Sequence, residues 1–339
     1  MVKPEGEVKD TMKRVLGKTK VSAMGMGCWA IGGPFLHSNG RVLAYGKVDD
    51  KESIKAVRKG IELGVTLFDT SNVYGCGRSE RVLGEALKGY REEVQIATKF
   101  ASVFDKNSGN PDIPCRISGN DITSDGIMEA CYASLERLQT DYIDLYQLHD
   151  GDMEPKEVPR VVSVLDELVD EGKIRSYGWS TDDPERAALF AEQDNCSAVQ
   201  FRHNIFNHNY VMIDTVIERH GVTGLIKGPL GYGFLTGKYT ENSTVPKDHM
   251  WHDANFREER MKKQLKLLDD LKRILTSDGR TLAQAALGWI WAEHKRLIPI
   301  PGFKNISQVT ENASALELGP LNQKIVDEVN QRVSEFKES

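Results

Sequence analysis

Short apolar runs alternate with amphipathic helical patterns along almost the whole chain. The apolar runs have the length and the β-branched content of buried strands. They lie at 21–24, 65–68, 94–98, 142–148, 174–179, 198–201, 224–226 and 297–300. Between them, apolar residues recur at helical spacing, as Ile127, Cys131 and Leu135 do. Strands and helices that alternate in this way predict a parallel sheet with crossover helices. Eight such units without a break in composition favour a closed (β/α)8 TIM barrel over an open doubly wound sheet.

The barrel pattern extends over most of the chain. We expect a single domain over residues 1–339, with the barrel core at about 14–319 and a C-terminal helix at 321–337. Two stretches interrupt the alternation, a polar loop at 101–122 and an insertion at 232–276 with a charged helix near its end. Both follow strands, so we expect both on the C-terminal face, which carries the chemistry in such barrels.

Composition excludes several classes of partner. Hydrophobic residues make up 40% of the chain and charged residues 28%, with a net charge of −6. No basic stripe is visible, so neither nucleic acid nor an anionic membrane is an expected partner. No apolar run approaches the roughly 18 residues needed to cross a bilayer. The polar start, 1–7, lacks the apolar segment of a signal peptide, which predicts a cytoplasmic protein.

The cysteines follow no recognisable framework. They are Cys28, Cys76, Cys115, Cys131 and Cys196. Their number is odd and no CxxC spacing occurs, so we expect free thiols in a reducing cytosol, with neither a disulfide scaffold nor a metal site.

Titratable side chains stand at three consecutive strand ends. Asp69 ends the second predicted strand, Lys99 the third and His149 the fourth, while Tyr74 lies in the loop after Asp69. Each has a structural alternative: Asp69 can cap the following helix, Lys99 can be a surface cation, and His149 can be a packed rim residue. Consecutive strand ends are neighbours at one rim of a barrel, so four unlike titratable groups there favour a functional site.

These four groups suit proton transfer to a carbonyl oxygen. A phenol has an ordinary pKa of about 10, too high for efficient exchange near neutral pH. A cation beside Tyr74 lowers that pKa, and Lys99 can be that cation, held in place by Asp69. His149 can donate a hydrogen bond to the carbonyl and orient it.

At these positions the chain resembles the aldo-keto reductase superfamily. The segments that carry the resemblance are 68–75, 97–99, 142–149, 228–230, 233–239 and 300–312, in family order. The resemblance implies a TIM barrel that binds NADP(H) along its C-terminal face and reduces an aldehyde or ketone reversibly. It also implies Tyr74 as general acid and base, Lys99 and Asp69 as the groups that tune it, and His149 as the donor that orients a small-molecule carbonyl substrate.

The resemblance further implies a set of cofactor contacts. Besides Asp69, they are Gly27, Cys28 and Trp29 at the nicotinamide and substrate end; Ser180, Thr181 and Gln200 at the carboxamide; Gly228, Leu230, Gly231 and Gly233 around the pyrophosphate; and Gly302, Phe303, Lys304, Gln308, Glu311 and Asn312 at the 2′-phosphate and adenine. Lys227 stands where many members stack an aromatic residue on the nicotinamide, and we expect it to contact the cofactor instead. Gln308 stands where Arg is frequent, so NADP(H) is the expected cofactor and NAD(H) the alternative.

Two other functions remain open at this stage. One is a cofactor-sensing regulatory subunit like the cytoplasmic subunits of potassium channels. The other is a Schiff-base aldolase that uses Lys99. Aromatic and histidine residues of the loops are candidates for lining the substrate pocket, namely His37, Tyr45, Phe104, Trp251 and His252. The sequence names neither the substrate nor an oligomeric state.

Overall fold

The structure is a computed structural model that describes residues 10–338. Within that range the strands are β1 (Lys13–Leu16), β2 (Thr19–Ser22), β3 (Met26–Gly27), β4 (Phe35–Leu36), β5 (Val42–Leu43), β6 (Leu67–Asp69), β7 (Gln95–Phe100), β8 (Ser102–Asp105), β9 (Arg116–Asn120), β10 (Leu145–Leu148), β11 (Tyr177–Ser180), β12 (Cys196–Arg202), β13 (Thr223–Lys227) and β14 (Leu297–Pro299). The helices are α1 (Asp50–Glu62), α2 (Arg78–Ala86), α3 (Ser124–Leu138), α4 (Val158–Asp170), α5 (Pro184–Ala191), α6 (Tyr210–Met212), α7 (Glu218–His220), α8 (Glu259–Leu275), α9 (Leu282–Glu293), α10 (Ile306–Leu318) and α11 (Gln323–Glu338). A π-helical segment, Ile213–Ile217, joins α6 to α7, and 3₁₀ turns lie at Asp10–Met12, Ala30–Gly32, Arg91–Glu93, Pro155–Glu157 and Gly231–Thr236.

Eight parallel strands form the predicted (β/α)8 barrel. Their order is β3, β6, β7, β10, β11, β12, β13 and β14, with every neighbouring pair parallel. The sheet closes because Gly25 donates to the carbonyl of Pro299 at 3.0 Å and Gly27 bridges to Gly302. The C-terminal ends of these strands therefore surround one mouth.

The helices form where the sequence supplies a cap and an apolar face. In α1 the Asp49 carboxylate accepts from the amide of Glu52, and Val57 and Ile61 are buried against the barrel. In α4 the buried face includes Val161, Leu165 and Leu168, which recur at the helical period.

The first barrel strand differs from the prediction. The apolar run at 21–24 does not supply it: β2 pairs with β1 in an antiparallel hairpin, and the barrel strand is the glycine-containing β3. Leu16 and Val21 of the hairpin pack on residues inside the barrel, which accounts for their apolar character. At Gly27 a Cβ would lie 2.7 Å from the carbonyl oxygen of Ile300, so the closing strand cannot carry the side chains that mark a strand in sequence.

The stretch at 101–122 is not an irregular loop. It forms an antiparallel hairpin of β8 and β9, and β9 continues into β4 and β5 as a second, four-stranded sheet. The exposed and half-buried positions of β9 explain why its sequence reads as polar. The insertion at 232–276 contains α8 as predicted, and α11 provides the C-terminal helix.

The expectation of five free thiols is wrong. Cys76 and Cys115 form a disulfide across a sequence separation of 39 residues, while Cys28, Cys131 and Cys196 are free. The second sheet folds back over the loop that follows β6 and brings the two sulfurs together, a contact that neither parity nor spacing can reveal. The expectation of a reducing cytosol therefore loses the support it took from the thiols. Between residues 10 and 338, no helix is long and apolar enough to cross a membrane.

Candidate active site

A buried ion pair lies at the centre of the barrel mouth. Lys99 Nζ donates to Asp69 Oδ2 at 2.6 Å, and both side chains are almost completely excluded from solvent. The same ammonium group donates to the carbonyl of Thr70 at 2.7 Å. Burial acts to lower the pKa of Lys99, but Asp69 and Tyr74 outweigh it and leave the pKa raised. Lys99 is therefore held as a cation, and Asp69 is its partner rather than a cap of α2, whose N-cap is Gly77.

Tyr74 receives the third hydrogen bond from this ammonium group. Lys99 Nζ lies 3.4 Å from the Tyr74 hydroxyl oxygen. Burial raises the pKa of Tyr74 more than the charge of Lys99 lowers it, so the net shift is upward, opposite to the predicted direction. The tight turn that aims Tyr74 at the mouth needs glycine at 75, where φ is +57° and a Cβ would collide with the carbonyl oxygen of Gly32. The phenol is thus held protonated beside a cation.

Two glutamines hold the other oxygen of Asp69. Gln147 Nε2 donates to Asp69 Oδ1 at 3.0 Å and Gln200 Nε2 donates to it at 2.8 Å. Gln200 Nε2 also lies 3.1 Å from Gln147 Oε1, so the three side chains form one buried network. Gln147 was not among the residues predicted from the sequence. The signal was present, because residues two apart on a strand share a face and Gln147 precedes His149 by two.

His149 stands beside the phenol as a neutral ring. Its ring centroid is 6.0 Å from that of Tyr74, and Ser71 Oγ lies 3.2 Å from its Nδ1. Burial, reinforced by the charges of Lys99 and Lys227, puts the pKa of His149 well below its ordinary value. A neutral imidazole carries one ring proton, so the contact with Ser71 decides whether Nε2 is a donor.

Asp69, Tyr74, His149 and Gln200 border one cleft of about 1080 Å³. Of the residues predicted from sequence, its wall contains Gly27, Trp29, Asp69, Tyr74, His149, Ser180, Thr181, Gln200, Lys227, Gly228, Leu230, Gly233, Gly302, Phe303, Lys304, Gln308, Glu311 and Asn312. Of the loop candidates, His37 and Tyr45 line it as well.

Some predicted residues lie outside the wall. Cys28 is completely buried and its thiol contacts the carbonyl of Met26, so it faces the protein interior. Neither Gly231 nor Lys99 is part of the wall, although Lys99 contacts two residues that are, Asp69 and Tyr74. The loop candidates Phe104, Trp251 and His252 do not line the cleft either. Phe104 packs beside the disulfide, and Trp251 packs on Phe234.

A charged trio, Asp182, Arg202 and Lys227, occupies the rim beside Ser180. Arg202 Nη2 and Nε contact Asp182 Oδ2 at 2.6 and 2.7 Å, whereas Lys227 Nζ is 3.6 Å from Asp182 Oδ1. Lys227 Nζ also lies 3.4 Å from Ser180 Oγ. Arg202 was missed in the sequence, although it follows Gln200 by two positions on the same strand and so shares its face.

The opposite end of the cleft is also basic. Lys304 Nζ donates to the carbonyl of Tyr45 at 2.8 Å, and the amide of Lys304 donates to Gln308 Oε1 at 2.8 Å. Lys238 also lines the cleft here. Its charge acts on His249, which packs beside Tyr45: burial and the charge of Lys238 together lower the pKa of His249 to about 4. Two ammonium groups and the first turn of α10 therefore border this end.

Comparison with known proteins shows the family. A sequence model described as "Aldo/keto reductase family" matches residues 23–333. The chain belongs to the aldo-keto reductase family. It is accordingly an NAD(P)H-dependent oxidoreductase.

Individual relatives support the assignment over nearly full lengths. The aldo-keto reductase YhdN of Bacillus subtilis is 33% identical, with 89% of this chain and 93% of that protein covered. The NADH-specific methylglyoxal reductase of Escherichia coli is 30% identical, with 91% and 94% covered. Among solved structures, a glycerol dehydrogenase from Gluconobacter oxydans has a TM-score of 0.82 and 25% identity, with 96% of both chains covered.

The cleft of this aldo-keto reductase has the chemistry that a dinucleotide needs. Ser180, Thr181 and Gln200 offer hydroxyl and amide groups on the wall that also contains Tyr74 and His149. Lys238 and Lys304 offer cations at the far end, as phosphate groups require. The residues present therefore fit NADP(H).

Proposed function

We propose that this aldo-keto reductase uses NADPH to reduce an aldehyde or ketone to the alcohol, reversibly, with Tyr74 as the proton donor. The observation that carries the proposal is the double role of the Lys99 ammonium group. It donates to Asp69 at 2.6 Å and to the Tyr74 hydroxyl at 3.4 Å. A cation placed there stabilises the phenolate that remains when the proton leaves, so it lowers the barrier for donation.

Each residue of the site then has one task. When bound, the cofactor supplies the hydride that forms the new C–H bond at the carbonyl carbon. Tyr74 gives its proton to the carbonyl oxygen, and Lys99 stabilises the phenolate left behind. His149, neutral at physiological pH, donates from Nε2 to the same oxygen and holds the carbonyl toward Tyr74. Asp69 keeps Lys99 charged and in position.

The cofactor contacts follow the two ends of the cleft. We assign Ser180, Thr181 and Gln200 to the nicotinamide carboxamide, since their polar groups border the end that contains Tyr74. We assign Lys304 to the 2′-phosphate, whose charge it complements. Gln308 adds no charge there, so the preference for NADPH over NADH depends on the lysines at this end, Lys304 first.

The alternatives raised from sequence are weaker than reduction. A Schiff-base aldolase needs an uncharged lysine, whereas Asp69 and Tyr74 raise the pKa of Lys99 and keep it protonated. A purely cofactor-sensing subunit has no use for a buried proton-donating network. Tight NADPH binding without turnover of any carbonyl would restore that second function.

The proposal is tested with Tyr74→Phe and a matched control. Tyr146→Phe also removes one buried hydroxyl, on β10, and that hydroxyl has no hydrogen-bond partner among the described residues. We expect Tyr74→Phe to lower kcat by about 10²- to 10⁴-fold with an unchanged Kd for NADPH, because only the proton donor is lost. Tyr146→Phe should keep wild-type turnover. A suitable panel contains methylglyoxal for reduction and glycerol for oxidation, after the two named relatives. Retention of turnover in Tyr74→Phe would refute the assignment.

A further inference from the structure

Lys227 is the one charged side chain of the trio at the rim that Asp182 does not fully neutralise. The backbone amide of Arg202 donates to Asp182 Oδ1 at 2.7 Å, and its guanidinium contacts Oδ2 at 2.6 Å. Lys227 is left at 3.6 Å from the same carboxylate. Asp182 contributes one negative charge and its two partners contribute two positive charges, so the trio carries a net positive charge centred near Lys227.

This charge acts on the reaction end of the cleft. Lys227 Nζ lies 3.4 Å from Ser180 Oγ, at the end of the strand next but one to Ser180. Its field also reaches His149, whose pKa it helps to lower. Burial lowers the pKa of Lys227, and the charge of Asp182 offsets only part of that effect, so the net shift is downward from the high value of an ordinary lysine. The cation therefore stands beside the groups assigned above to the nicotinamide carboxamide.

Other acidic groups of the cleft wall do not cancel it. Asp183 is paired with Arg186 at 3.2 Å. Asp152 and Glu311 are exposed, so solvent screens their charges. Asp69 is taken up by Lys99. The carboxylates of the cleft wall thus do not neutralise the excess positive charge at Lys227.

The two redox states of a nicotinamide ring differ by one charge at this place. The reduced ring is neutral and the oxidised ring is positively charged. When a hydride leaves for the carbonyl carbon and Tyr74 gives a proton to its oxygen, the positive charge remains on the ring. With the carboxamide placed at Ser180 as proposed above, a fixed cation at Lys227 raises the free energy of the oxidised state and leaves that of the neutral state almost unaltered.

We infer that Lys227 sets the redox preference of the cofactor site: it weakens binding of NADP⁺ relative to NADPH and so favours reduction and product release. The inference rests on the function proposed above, because it requires a nicotinamide beside Ser180. Lys227 acts here as a determinant of cofactor state rather than as a proton donor. An aromatic residue at this position would carry no charge and so would not discriminate between NADP⁺ and NADPH in this way.

The test compares dissociation constants for the two cofactor forms by isothermal titration calorimetry at pH 7. In the wild type we expect a high ratio of Kd for NADP⁺ to Kd for NADPH that declines as salt is added. Lys227→Met keeps length and volume without charge and should lower the ratio about tenfold. Lys227→Arg should keep the ratio near the wild-type value. Asp182→Asn removes the negative charge that partly neutralises Lys227, so it should raise the ratio. This variant tests the inference even if Lys227→Met fails to fold.

Lys304→Met serves as the control for general loss of affinity. It removes a cation from the opposite end of the cleft, so it should weaken both cofactor forms by the same factor and leave the ratio unaltered. The inference is overturned if Lys227→Met leaves the ratio at the wild-type value, or if Lys227→Arg lowers it equally. If the wild type binds neither form, the proposed function fails instead, so the two failures are distinguishable.

Discussion

Asp69 and Lys99 form an ion pair that is closed to solvent, with Oδ2 and Nζ 2.6 Å apart. Removal of one member leaves the other charge buried and unpaired, which costs roughly 3–5 kcal/mol of stability. Removal of both members leaves no such charge. We therefore predict that Asp69→Asn and Lys99→Met each lower the free energy of unfolding substantially. The double variant should lose less than the sum of the two, measured by urea denaturation. Additive losses would show that the two residues stabilise the fold independently.

Ser71 should determine which nitrogen of His149 carries the proton. Its hydroxyl lies 3.2 Å from His149 Nδ1 and 3.2 Å from Asn72 Oδ1, and its single proton can serve only one of them. If Ser71 donates to Nδ1, Nε2 carries the proton and can donate to substrate. We predict that Ser71→Ala lowers kcat/KM for carbonyl reduction about tenfold, with an unaltered Kd for NADPH. The ¹⁵N shifts of the His149 ring, assigned by comparison with His149→Gln, report the tautomer directly. A protonated Nδ1 in the wild type would contradict this role.

The pH dependence of reduction should have a single limb. An acid catalyst loses activity as the pH rises through its pKa, and burial raises the pKa of Tyr74 above its ordinary value of about 10. His149, with a pKa well below its ordinary 6.5, does not titrate in the neutral range. We predict that kcat/KM for reduction is level from pH 6 to about 9 and falls only at more alkaline pH. A break near pH 6.5 that disappears in His149→Gln would show instead that His149 gains a proton in that range.

The Cys76–Cys115 disulfide should stabilise the substrate end of the cleft. It joins the loop of Tyr74 to Cys115, the residue directly before β9, and the two cysteines form a buried cluster with Phe35 on which the partly buried Trp29 packs. We predict that Cys115→Ser raises the KM for the carbonyl several-fold and changes the Kd for NADPH much less, because Ser180 and Lys304, which we assign to the cofactor, lie at the end of β11 and after β14, outside the segments that the disulfide joins. For a loop closed over 39 residues, chain entropy sets an upper limit of about 4 kcal/mol on the lost stability.

Controls for the disulfide are available in the same chain. Cys131→Ser alters a buried free thiol on α3 and should leave the KM at the wild-type value. Incubation of the wild type with dithiothreitol should raise the KM as Cys115→Ser does. The same treatment of Cys115→Ser should leave its KM unchanged. An equal response of KM in both serine variants would point to general destabilisation.

The barrel and the proton-transfer groups were predictable because each has a local signature. The apolar runs that enter Asp69, Lys99 and His149 are short and are followed by helical periodicity, so their order along the chain also gives their order around the mouth. The structure confirms this neighbourhood in the hydrogen bonds from Lys99 to Asp69 and Tyr74. Assignment of catalytic roles to these residues stays a prediction.

The errors have a common physical origin in contacts over long sequence distances. Which cysteines pair depends on how the β8–β9 hairpin folds over the mouth, and no local pattern records that fold. The direction of the Tyr74 pKa depends on a balance between burial and the charge of Lys99, and burial is set by the complete assembly. Gln147 and Arg202, in contrast, were within reach, because each shares a strand face with a residue that the sequence analysis had selected.

The seam between β3 and the residues after β14 has a consequence for synthesis of the chain. Gly27 is among the first barrel residues to leave the ribosome, and its partner Gly302 is among the last. Until then the backbone of β3 has one unpaired edge, which is a site for mispairing. Because Gly27 and Gly302 also line the cleft, the mouth is completed only when translation of the barrel has ended. A nascent chain truncated before Leu297 lacks β14 and should therefore be unable to bind a dinucleotide, even if the other seven barrel strands have assembled.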